Sequence, residues 1–251
     1  MSDSEEAAAG DAASVALGRP LTRREAVVDV ALAILLIPAS AIVAGLLASW
    51  LSTGRPNVVI VVAVQALLSL AGLSALLAWR KQRWREIGLA PLEVRDFSRA
   101  LLVLLTGFAA NAALTLGIYV FAPEVLQAHL EGLQSIAVGL TTDAPLGGAL
   151  ALLLLVGFYE ELVARGLLLS RSRALLGGFW APVLFSAALF GLGHFYQGAY
   201  GTVQTAVLGI VLAAYTIHWR TLWPAIIAHA AINMFSVLQL DSLPELPQLT
   251  G

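Results

Sequence analysis

Residues 146–170 read LGGALALLLLVGFYEELVARGLLLS. The stretch is long and apolar enough to span a bilayer as a helix, yet it holds Glu160, Glu161 and Arg165. An ionisable side chain near the bilayer centre costs roughly 2.5 to 3.5 kcal/mol on insertion scales, so charges there mark a functional site or an internal ion pair. Two later apolar stretches each carry a histidine: His194 in FGLGH and His229 in HAAIN, with Asn233 one helical turn beyond. Together these residues predict a polar site enclosed by a helical bundle.

The remainder of the chain agrees with that class. Hydrophobic residues make up 59% and charged residues 12%, with a mean hydropathy of +0.85, whereas about a quarter of residues are charged in soluble domains. The composition therefore predicts an all-α polytopic membrane protein. Its 251 residues leave room for about seven spans of ~20 residues. There are no cysteines, which excludes disulfides, thiolate metal sites and a cysteine nucleophile. Nothing in the charge pattern asks for a nucleic-acid partner, and oligomeric state has no signature.

The expected organisation is a disordered cytosolic tail over 1–22, a transmembrane domain over 23–240 and a short outward tail over 241–251. Apolar runs lie near 26–51, 57–79, 100–121, 146–169, 180–197, 200–218 and 221–239, which gives seven spans. The first run is far longer than a 7 to 15 residue signal core, so it reads as a retained helix. With the N-terminus inside, the inner segments are the tail, 80–99, a turn near 171–179 and the junction at 220. They collect 12 of the 14 Lys and Arg residues, an asymmetry that places the N-terminus in the cytosol and the C-terminus outward. All six tryptophans, Trp50, Trp79, Trp84, Trp180, Trp219 and Trp223, fall near span ends, where amphipathic rings prefer to sit.

Residues 122–145 read as one long outward loop with a short amphipathic helix around 124–136. Asp29 reads as interfacial, His129 as a loop residue and His218 as interfacial beside Trp219. The basic run from Arg80 to Arg85 reads as a topology determinant touching anionic headgroups. No internal repeat is visible, which disfavours a transporter.

Helical spacing orders the polar residues. Positions four apart share a face, so Glu161 and Arg165 can pair in the favourable acid-first orientation, while Glu160 is turned about 100° away. Phe190 with His194, and His229 with Asn233, are four apart as well. At 1.5 Å per residue Glu160 lies about 16 Å from the inner marker Arg171 and His229 about 13 Å from Arg220, but His194 lies about 21 Å from Trp180. Convergence therefore requires the fifth helix to tilt, to start later, or the site to slope outward.

Glu160-Glu161-x-x-x-Arg165-Gly166, Phe190-x-x-x-His194 and His229-x-x-x-Asn233, in that order on separate apolar helices, resemble the signature of the CPBP family of intramembrane proteases. That family includes CAAX prenyl endopeptidases and bacteriocin-processing or immunity proteins. The resemblance covers about 95–240. It implies that Glu160 is the general base for an attacking water and that His194 holds that water. It further implies that His229 and Asn233 donate to the oxyanion, with Glu161 and Arg165 as supporting pair and Phe190 beside them. A zinc or other divalent ion on Glu160, His194 and His229 is the open alternative to a metal-free water, although H-E-x-x-H is absent. The substrate implied is a membrane-associated peptide or protein.

Each motif also has a plainer use. Glu161 with Arg165 can be a structural ion pair, Asn233 interhelical glue, and either histidine a satisfied core residue. A binding or immunity protein of the same fold, and a proton-coupled transporter using Glu160 and the histidines as a relay, are the competing functions. The Ala, Leu, Gly and Arg rich composition, with one lysine, points to a GC-rich bacterial genome and hence to a bacterial plasma membrane.

Overall fold

The computed structural model describes residues 21–51 and 55–241, so residues 1–20 of the expected cytosolic tail and 242–251 of the outward tail lie outside the described residues. The described residues form helices and turns, without a strand among them. In chain order the helices are α1 (Arg23–Leu51), α2 (Val58–Trp79), α3 (Val94–Phe121), α4 (Pro123–Asp143), α5 (Leu146–Glu161), α6 (Ser170–Leu176), α7 (Trp180–Gly193), α8 (Gly198–Trp219) and α9 (Trp223–Asp241). A π-helical segment, Leu162–Leu169, joins α5 to α6 without a break, and short 3-10 turns occupy Trp84–Ile87 and Phe195–Gln197.

Local chemistry sets several of these boundaries. Thr22 and Glu25 exchange hydrogen bonds at the start of α1, and Glu93 and Asp96 form a capping box at the start of α3; each satisfies amide groups that the first helical turn leaves unpaired. Asn57 caps α2 by accepting from the Ile60 amide. The long helix ends at Leu176 because Gly177 and Gly178 both take positive φ, a conformation open to glycine at little cost. The turn expected at 171–179 is therefore confined to Gly177, Gly178 and Phe179.

Among the described residues, five helical stretches are long and apolar enough to cross a membrane: Arg23–Leu51, Val58–Trp79, Val94–Phe121, Leu146–Leu176 and Phe195–Trp219. The 14-residue α7 is a shorter apolar helix, because the chain leaves helical geometry at His194 rather than at the expected residue 197. The Leu146–Leu176 stretch is the most enclosed of the five, with 44% of its apolar window buried against 11% for Val94–Phe121. It is the axis of the bundle. Leu162, Val163 and Leu167 pack there with Leu73, Leu76 and Leu77 of α2 and with Leu222 and Ile226 beside and within α9. Outward-facing Leu46, Leu105, Leu116 and Val120 remain exposed on the periphery, as lipid-facing side chains do.

Glycine allows two close approaches that hold the site together. A Cβ at Gly157 would come within 2.9 Å of the Ala230 amide nitrogen, and one at Gly191 within 2.5 Å of the Thr202 carbonyl oxygen. These contacts draw α5 against α9 and α7 against α8, in the manner of small-residue helix contacts in membranes.

Three expectations are corrected here. Residues 123–143 form one helix rather than a loop with a short helical insert: Pro123 opens its first turn, and a face bearing His129, Ala137 and Leu140 is buried. Asp143, at its end, pairs with Arg55 at 2.6 Å and accepts from the Val58 amide at 2.7 Å, tying α4 to the start of α2. Asp29 is fully buried rather than interfacial, because Arg80 reaches it at 2.7 Å and Arg171 at 3.0 Å. Arg80 and Arg171 are accordingly internal partners and not only topology markers; Arg171 also donates to Gln82. His129 is buried, against the backbone of Gln197 and the side chain of Gln204, whereas His218 is exposed beside Trp219.

Candidate active site

The last turn of α5 carries Tyr159, Glu160 and Glu161, all buried. Adjacent residues on a helix diverge by about 100°, and the two carboxylates do face different partners. Glu161 Oε1 accepts from Arg165 Nη1 at 2.7 Å and from His229 Nδ1 at 2.8 Å. Both side chains of the Glu161–Arg165 pair are at zero exposure, so each charge depends on the other. The π-helical turn that begins at Leu162 carries Arg165; such widened turns recur at functional sites, where they re-aim a side chain. Arg165 Nη2 also donates to the Gly209 carbonyl at 3.4 Å, and the guanidinium lies 4.0 Å over the Phe190 ring.

Phe190 links this pair to the histidines. Its ring centroid is 4.8 Å from that of His194 and 5.8 Å from that of His229. His194 caps the C-terminus of α7 with φ −101° and ψ 16°, and its Nδ1 donates to the Phe190 carbonyl at 2.9 Å. The relation expected of two helical positions four apart is thus retained by a side chain that has left the helix.

Glu160 stands at the convergence. Its Oε1 accepts from the Tyr159 hydroxyl at 3.3 Å, while Oε2 lies 3.8 Å from His194 Nε2 and 3.8 Å from His229 Nε2. Both imidazoles have Nδ1 engaged with an oxygen acceptor, which leaves Nε2 of each directed at the same carboxylate oxygen. A separation of 3.8 Å is beyond direct hydrogen bonding and suits a bridging water. Glu160 Oε2 is itself buried without a hydrogen-bond partner among the described residues, as are Glu161 Oε2 and Arg165 Nε.

Asn233 lies one turn beyond His229 on α9, half-buried, and makes no side-chain hydrogen bond among the described residues. Six of the seven residues singled out in the sequence, Glu160, Glu161, Arg165, Phe190, His194 and His229, form one contact network; Asn233 adjoins it through its helix. Tyr159 was not singled out. Its only signal is a buried aromatic hydroxyl placed next to a carboxylate.

Carboxylate and imidazole nitrogens are donors that divalent ions accept. Among the described residues, however, no group of three or more His, Cys, Asp or Glu side chains is arranged to hold an ion.

Residues 142–235 match the family model described as Type II CAAX prenyl endopeptidase Rce1-like. The match agrees with the resemblance drawn from the three motifs, and every residue from Glu160 to Asn233 lies inside it. This is a protease family, and with five helices long and apolar enough to cross a membrane among the described residues the chain reads as a multi-pass integral membrane protein. No curated protein and no solved structure matches the chain.

Proposed function

We propose that this chain is an intramembrane endopeptidase that hydrolyses a peptide bond of a membrane-associated protein or peptide, with Glu160 as general base. The observation that carries the proposal is the placement of one buried carboxylate oxygen 3.8 Å from each of two imidazole nitrogens, inside residues that match a protease family.

A water bridging Glu160 Oε2 and His194 Nε2 is oriented with one proton toward the carboxylate and a lone pair toward the substrate carbonyl. Glu160 takes that proton as the oxygen attacks the carbonyl carbon, and returns it to the amine nitrogen as the C–N bond breaks. A positioned base of this kind contributes typically ~10² to 10⁴-fold. The Tyr159 hydroxyl on Oε1 leaves Oε2 as the basic oxygen. His229, anchored through Nδ1 on Glu161, presents Nε2–H to the oxyanion when protonated, and Asn233 offers an amide N–H from the next turn. Each such donor, preorganised in a dry site, is worth ~10² to 10³-fold. Glu161 and Arg165 act through His229 rather than on the substrate.

The topology proposed for this activity has seven crossings, with α7 and α9 added to the five long stretches, the N-terminus in the cytosol and the C-terminus outside a bacterial plasma membrane. The distribution of Lys and Arg supports it.

The test is hydrolysis of a membrane-anchored peptide panel by the purified chain in vesicles made up in ¹⁸O-water. The wild type is expected to place one ¹⁸O in the new C-terminal carboxylate and Glu160→Gln none. Products without the label, or equal turnover by Glu160→Gln, count against the assignment. Metal analysis of the same preparation tests the divalent-ion alternative on Glu160, His194 and His229. Binding of the panel without turnover would favour an immunity or scaffolding role.

A further inference from the structure

A cavity of about 470 Å³ lies between α4 and the 195–200 segment, lined by Val125, His129, Gly132, Ile136, Tyr196 and Tyr200 among others. Its position follows from the buried His129. That residue holds α4 against the segment through the Gln197 carbonyl at 3.3 Å and Gln204 Oε1 at 3.1 Å, with its ring 4.8 Å from Tyr200, edge to face.

The cavity adjoins the candidate active site through Tyr196, while Glu160, His194 and His229 are outside its lining. Tyr196 lines it and also stands 5.8 Å from the His194 ring, tilted by 31°. The wall of the cavity is therefore two residues from the imidazole that faces Glu160. The lining is mostly aliphatic and aromatic, and Glu124 is the acidic residue in it. Val125 and Ile136 are 39% and 38% exposed, so apolar surface faces the opening.

We infer that this cavity is a substrate subsite: it receives an apolar side chain, aliphatic or aromatic, from the polypeptide segment next to the scissile bond, and Glu124 disfavours an acidic side chain there. The inference rests on the endopeptidase reading. A chain laid along Tyr196 places one residue in the cavity while the neighbouring peptide group lies over Glu160 and His194. The volume accepts a leucine or phenylalanine side chain with room for its flanking backbone.

Gly132 makes the test possible. A Cβ built there meets no heavy atom within 4 Å, and Gly132 lines the cavity, so Gly132→Trp adds an indole at the cavity wall without a clash at its Cβ. A residue with a side chain also favours the helix more than glycine does. Gly117→Trp, at a position on α3 equally clear of neighbours, serves as control. The full-length protein in vesicles is assayed with N-acylated dodecapeptides that vary each position in turn among Ala, Leu, Phe and Asp.

At one position the wild type is expected to prefer Leu and Phe over Asp. Gly132→Trp is expected to lower kcat/KM for those Leu and Phe peptides by about tenfold or more, the scale on which a hydrophobic pocket discriminates. The Ala peptide and the Gly117→Trp control should stay near wild-type rates. An equal loss across all peptides, or no loss, overturns the subsite. If the wild type cleaves no peptide, the hydrolysis reading fails separately. Photocrosslinking then decides the cavity, with benzoylphenylalanine at Val125 in Glu160→Gln. Capture of Leu and Phe peptides, lost on adding Gly132→Trp, supports it, and absence of capture overturns it.

Discussion

His229 Nδ1 stands 2.8 Å from the same Glu161 oxygen that Arg165 reaches at 2.7 Å. That shared oxygen divides the work of two adjacent carboxylates. Glu161 commits one oxygen to a cation and an imidazole, while Glu160 turns one oxygen toward two imidazole nitrogens at 3.8 Å. A buried ion pair here fixes the direction of a histidine that faces Glu160.

Removing the acid of that pair leaves Arg165 buried without its counter-charge. Glu161→Gln is expected to destabilise the folded protein by about 3 to 5 kcal/mol, as loss of one partner of a buried pair does. Replacing both members, Glu161→Leu with Arg165→Met, should recover much of that stability but no hydrolysis, because His229 loses its anchor. Thermal melts and peptide turnover in the same micelles check both parts.

Asn233 lies beside the site with no side-chain hydrogen bond among the described residues, so its removal disturbs little of the fold. Asn233→Ala is expected to leave the melting temperature near that of the wild type and to lower kcat by ~10²-fold, the loss typical of one oxyanion donor. A matched fall in stability would instead make it interhelical glue.

Gly157 sits one turn before the carboxylates, where an added Cβ would meet the Ala230 backbone at 2.9 Å. Gly157→Ala is expected to push α5 from α9 at the residue next to His229, costing about 1 to 3 kcal/mol by overpacking and lowering turnover as well. Gly147→Ala, where a Cβ meets nothing within 4 Å, should be neutral in both measurements.

The site was more legible in the sequence than its supports were. Glu161 and Arg165 are four apart on one helix, so their pairing follows from helical period alone, and the motif order supplied the two histidines. Asp29 with Arg80 and Arg171 could not be read this way. Its partners are 51 and 142 residues away, and no local pattern encodes a contact between distant helix ends. In the sequence α4 reads as a loop with a short helix around 124–136, because Pro123, Glu124, His129, Glu131 and Asp143 interrupt its apolarity, although a proline in the first turn is compatible with a helix and one face packs inward. The apolar run over 180–197 puts His194 within a span, whereas α7 ends at Gly193, just before it.

The distant network makes its own prediction. Asp29→Ala removes the carboxylate of Arg171 and leaves Arg80 with Glu25 at 3.5 Å, and is expected to lower stability by about 3 to 5 kcal/mol. Turnover per folded molecule should not change, since Asp29 touches none of the site residues. Melting curves beside turnover normalised to folded protein separate the two effects.

The most direct test of Glu160 as the base of a peptide hydrolysis is a comparison of membrane-protein N- and C-termini, by mass spectrometry, in cells carrying the wild-type chain or Glu160→Gln at equal abundance. The account predicts paired new termini, from the two sides of one bond, that are present with the wild type and absent with Glu160→Gln. Identical termini in the two strains, with both proteins folded, would contradict it.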